Sequence, residues 1–124
     1  AIAFRDAFTA RWGIEPSPSS AGLAYDEVNF FIKILQEAYK EHGKLDSQTL
    51  YQFGNDKVMT GQVTYTDGIL MKEYKFTPES APDFVVGPDN FTFPVIQYMS
   101  GAGKTVWPAA MRETDIQIPD YANK

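Results

Sequence analysis

The chain has no cysteine and one histidine, His42. The first absence excludes a disulfide framework, a thiolate nucleophile and a cysteine metal site. A zinc site built on His42 finds no second histidine or cysteine to complete it. No apolar run approaches the roughly 20 residues that span a bilayer, so no transmembrane helix is expected. Basic residues are in the minority, 11 Lys and Arg against 16 Asp and Glu, for a net charge of −5. That balance argues against nucleic acid or an anionic membrane as partner. A lysine- or arginine-flanked apolar core with a small-residue cleavage site is missing from the N-terminus, so no signal peptide is read there. The lack of cysteine suits cytoplasm and bacterial periplasm alike. No internal repeat is found.

What remains is globular in composition: 124 residues, 44% apolar and 22% charged. That length supports one core and not two. Ile2, Phe4, Ala7, Phe8 and Trp12 form an apolar stripe at helical spacing, uncapped at its start and stopped by Gly13. Ile14 to Ser20 carries Pro16 and Pro18 and reads as a stiff connector. Ser19 or Ser20 is placed to cap a second helix, about Ala21 to Glu41. There Ala24, Val28, Phe31, Leu35 and Ala38 form the main stripe, widened by Tyr25, Ile32 and Tyr39. Leu23, Phe30 and Ile34 add a second apolar patch, leaving a polar strip of Asp26, Asn29, Lys33, Glu37 and Lys40. A helix this apolar calls for neighbours on more than one side. Gly43 ends it, and a short helix follows from Asp46 or Ser47 to Phe53, stopped by Gly54.

The period then changes. Gln62 to Thr66 alternates as a half-buried strand, Asp67-Gly68 signals a two-residue hairpin turn, and Ile69 to Phe76 is the return strand. Thr77 to Phe93 reads as a long loop, Val95 to Met99 as a strand, and Thr105 to Trp107 as a brief strand stopped by Pro108. The tail from Arg112 has no period.

Gly103-Lys104-Thr105 resembles the end of a phosphate-binding loop, but Tyr98 stands where the first glycine belongs and no helix follows. A glycine turn between strands is the plainer reading. His42, in the last turn of the long helix, suits the exposed carbonyls there. Asp26 and Glu27 are adjacent and point about 100° apart, poor geometry for a carboxylate pair, and their place near the helix start suits the dipole. Asn90-Phe91-Thr92 matches a glycosylation acceptor, a short and frequent pattern. Trp12 and Trp107 are read as core rather than as ligand-stacking groups. No catalytic constellation emerges.

The order of segments carries a resemblance. Phe4 to Pro16 resembles the F-x-x-x-F-x-x-[RK]-[YW]-G-x-x-P stretch of type I periplasmic solute-binding proteins, the substrate-binding family of branched-chain amino acid and amide ABC transporters. Ala24 to Val28 is similar to their A-Y-D-A-V helix, with Glu27 in place of alanine, and Gly61 to Gly68 to their G-x-V-x-F-D-x-x-G hairpin. Val95 to Tyr98 and Gly103 to Pro108 resemble their closing strands. The insertion Thr77–Phe93 and the tail have no counterpart.

The resemblance implies an α/β fold: the C-terminal part of a two-lobed protein, with a long helix, a β-hairpin and short closing strands. Residues 1–13 are then a second-lobe helix, 14–20 a hinge crossing, 21–76 a first-lobe part and 77–124 a return segment and tail. It implies a non-catalytic component that binds an amino acid or amide between lobes without a cofactor. Its partners are the remainder of the binding-protein chain and an ABC permease, in the periplasm or lipid-anchored outside the cell. The pocket wall falls on Ser19, Ser20 and Ala21, for which helix capping alone is the competing account. Two alternatives stay open: the same fold as a sensor or receptor domain, and a self-standing small α/β domain.

Overall fold

A computed structural model describes residues 1–17 and 20–118. It contains helices and a small two-stranded antiparallel sheet, in two units, Ala1–Thr92 and Phe93–Lys124.

In the first unit, α1 (Ile2–Trp12) ends at Gly13, whose φ of 71° lets its N–H return to the Thr9 carbonyl. Its aromatic stripe reaches α2 through Phe4, whose ring lies 5.0 Å from that of Tyr25. Helix α2 (Ala21–His42) closes the same way at Gly43, φ 69°. The face it turns inward is mostly the second apolar patch, and of the expected main stripe only Ala38 is buried. Asp26, Phe30 and Ala38 are buried, with Leu23 and Ile34 packed beside them, while Val28 and Phe31 are 58% and 56% exposed. Both faces are apolar enough to serve, and Asp26 decides between them, because its carboxylate finds backbone donors only on one side.

Asp46 caps α3 (Ser47–Phe53) by accepting the Thr49 N–H at 2.8 Å. Gly54 does not stop the chain there. It is right-handed helical, and the backbone continues in a wider turn over Gly54–Val58. The break comes at Gly61, φ 75°, where a Cβ would stand 2.6 Å from the Phe76 carbonyl oxygen.

The expected 62–76 hairpin is reduced to one bridge, Tyr65 with Tyr74, whose backbone groups exchange bonds of 3.0 and 2.8 Å. Asp67-Gly68 is not a two-residue turn. The residues between the two tyrosines are drawn aside to a side chain of α2. The 77–93 loop is a loop as expected, and it delivers Phe84 and Phe91, stacked 5.4 Å apart, to the core. That core joins Phe30, Phe53, Val58, Tyr65, Met71, Tyr74 and Phe91.

In the second unit, β1 (Val95–Met99) pairs with β2 (Ala102–Trp107), with Met99 opposite Ala102. Ser100 and Gly101 both take positive φ, 52° and 81°, as a tight two-residue hairpin turn requires. Gly103-Lys104-Thr105 therefore lies within β2 rather than in a turn. A one-turn 3-10 helix, Ala109–Met111, follows Pro108. Trp12 and Trp107 are 60% and 55% exposed, so neither is core. No helix among the described residues is long and apolar enough to cross a membrane.

Candidate functional site

Of the residues expected to line a ligand pocket, Ser19 lies outside the described residues. Ser20 takes the N-cap position of α2, but its side chain makes no capping bond; its hydroxyl donates to the Ser17 hydroxyl at 3.1 Å. The first turn is closed by main chain instead, Ala21 N–H to the Ser17 carbonyl and Ala24 N–H to the Ser20 carbonyl. Ala21 is half-buried.

The densest polar arrangement stands one turn further along, at Asp26. Its carboxylate is wholly buried. Oδ1 accepts the Ile69 N–H at 2.8 Å, and Oδ2 accepts both the Leu70 N–H at 2.9 Å and the Tyr74 hydroxyl at 2.7 Å. Charge-assisted bonds of this length are about twice as strong as neutral ones. Among the described residues no buried side-chain polar atom is left without a partner. A carboxylate buried in this way, bonded to two main-chain N–H groups and a phenol, holds the 69–70 backbone and Tyr74 against α2.

Gly68 completes the joint. A Cβ there would stand 2.8 Å from Asp26 Oδ2 and 3.0 Å from Tyr74 Cε2. Gly68→Ala is therefore expected to lower the unfolding free energy by about 1–3 kcal/mol, the range for forcing a methyl into a packed site. A urea titration checks it.

Tyr74 is fully buried, its ring against Phe84 and Phe91 at 5.3 and 5.9 Å. Burial, and then the bond to Asp26, push its phenol well above the usual tyrosine range, and burial raises Tyr65 as well. The folded chain thus keeps these protons where the unfolded chain loses them. Their contribution is intact below pH about 10 and is lost as pH rises above it, by up to about 1.4 kcal/mol per pH unit for each tyrosine. Urea midpoints between pH 8 and 11 are expected to fall, less steeply in Tyr74→Phe.

The other candidates stay apart. His42 Nε2 lies 3.6 Å from Glu41, with its ring edge-on to Phe53. Lys104 approaches Glu113 at 3.7 Å. Asn90 Nδ2 donates to Glu73 at 2.8 Å, and Thr92 Oγ1 to the Gly87 carbonyl. Among the described residues no three acidic or histidine side chains converge as for a metal.

Sequence reasoning placed Asp26 on the solvent strip and missed its role. The available signal was spacing: Asp26 precedes Phe30 by one turn and so shares the face of the second apolar patch. Comparisons with family models, curated proteins and solved structures find no match for this chain.

Proposed function

We propose that this chain is part of a two-lobed, non-catalytic solute-binding protein of an ABC importer, taking a small polar ligand such as a branched-chain amino acid or amide. The observation that carries this reading is the Asp26 joint. Ala24–Val28 and Gly61–Gly68 are separate motif segments of the resemblance, and Asp26 of the first meets Gly68 of the second. That proximity supports reading the two segments as neighbours within one fold.

The outer face of α2 lends further support. Tyr25, Val28, Phe31, Ile32 and Tyr39 are 44–58% exposed along one helix, more contiguous apolar surface than a helix of a finished monomer usually shows. On this reading residues 21–76 belong to the first lobe, 1–13 to the second, and 14–20 is one crossing between them. Ligand touching both lobes only when they close shifts the open–closed equilibrium by its differential affinity. The closed form docks on a permease outside the cytoplasm.

A self-standing small domain is the second reading, favoured by the contiguous core of the first unit. Calorimetry of the full-length gene product against amino acids and their amides separates the two. The proposal expects saturable one-to-one binding. A full-length product no longer than this chain, or one that leaves the whole panel unbound, overturns it.

A further inference from the structure

The tail after Pro108 does more than trail from the hairpin. The Glu113 N–H donates to the Thr105 carbonyl at 2.8 Å, and Glu113 Oε2 accepts the Thr105 N–H at 2.8 Å. Four residues on, the Gln97 side-chain amide makes the same two-way pairing with the Gln117 backbone, at 2.8 and 2.9 Å. Thr105 sits opposite Ile96 in the register. Because both its backbone groups go to Glu113, this is a pair whose N–H and C=O point away from the partner strand. They are the groups an added strand would use, and a carboxylate with its own amide occupies them.

The other edge differs. Alternation turns Ile96 and Tyr98 outward on β1, and among the described residues no backbone group of β1 bonds outside the hairpin. Its sequence, Val-Ile-Gln-Tyr-Met, is uncharged, and Val95 and Tyr98 are 49% and 71% exposed. Edge strands with unpaired N–H and C=O groups and no charge are templates for strand addition. An open β1 edge and an open β2 edge on one molecule form a head-to-tail contact that never closes.

We propose that residues 112–118 form a strap that caps the β2 edge, with Glu113 as its latch, so that β1 of a second copy cannot add there. The inference rests on the hairpin alone and is independent of the solute-binding reading. A second copy is the excluded partner because its β1 carries the open, uncharged edge that the same molecule presents.

The test is sedimentation velocity and thioflavin fluorescence of the full chain over a concentration series, for wild type, Glu113→Ala, Glu113→Gln and the double variant Glu113→Ala/Tyr98→Lys. The Gln variant keeps an oxygen for the Thr105 N–H. Glu113→Ala is expected to shift to larger, thioflavin-positive species relative to wild type. Glu113→Gln is expected to stay with wild type, and the β1 lysine to abolish the shift. A Glu113→Ala distribution identical to wild type overturns the cap. Assembly that persists in the double variant overturns β1 as the incoming strand.

Discussion

Asp26→Ala is expected to lower the unfolding free energy by about 3–5 kcal/mol, the sum over three buried donors left without an acceptor less what entering water restores. Domains of this size are stable by only about 5–15 kcal/mol, so much of the first unit's margin rests on one side chain. Three donors lose their acceptor at once: the Ile69 and Leu70 amides and the Tyr74 hydroxyl. An unsatisfied buried donor costs about 1–3 kcal/mol, reduced where water enters the space left behind. Asp26→Asn has nearly the same shape and separates packing from charge. One of its two terminal atoms becomes an NH2 that faces a donor, so the variant is expected to recover only part of the loss. Chemical denaturation of wild type, Asp26→Ala and Asp26→Asn measures all three. Equal stability of Asn and wild type would mean that shape, not acceptor chemistry, is what the site requires.

Phe30→Ala carries a loss of similar size, about 3–5 kcal/mol, as expected for deleting a buried ring. Phe30 is 3% exposed, and its ring meets Tyr65, Phe76 and Phe84 at 5.9, 6.4 and 6.3 Å. Its chain neighbour supplies the control. Phe31 is 56% exposed, and Phe31→Ala is expected within about 0.5 kcal/mol of wild type in this chain. The contrast states in measurable form which side of α2 is core. A large loss at Phe31 and a small one at Phe30 would reverse the assignment.

That assignment is also where the sequence was hardest to read. Helix positions were legible because their signals are local: the apolar periods, Asp46 before α3, and Gly13 and Gly43 in left-handed caps. Which face of α2 turns inward was not local. It depends on Asp26 finding donors 43 and 44 residues away, and no period in a single helix encodes that. The same pairing explains the lost hairpin. Asp67-Gly68 has the composition of a tight turn, yet three bonds to a carboxylate hold the segment more firmly than a two-strand ribbon holds itself. Composition pointed to a turn at Asp67-Gly68 and to a glycine turn after Met99; the two-residue turn forms only at the second place, at Ser100-Gly101, where among the described residues no side chain of another element claims the backbone. The expected pocket wall was a transfer by resemblance onto Ser20 and Ala21, and the polar chemistry gathers a turn later.

The joint between α2 and the 69–70 backbone is the claim on which the fold account and the functional proposal both rest. Amide hydrogen exchange at Ile69 and Leu70 tests it most directly. In wild type both amides are expected to exchange as slowly as the core amides of Phe30 and Tyr74, and in Asp26→Asn to speed up selectively. Exchange at the rate of an open loop in wild type, or protection unchanged by the substitution, would contradict it.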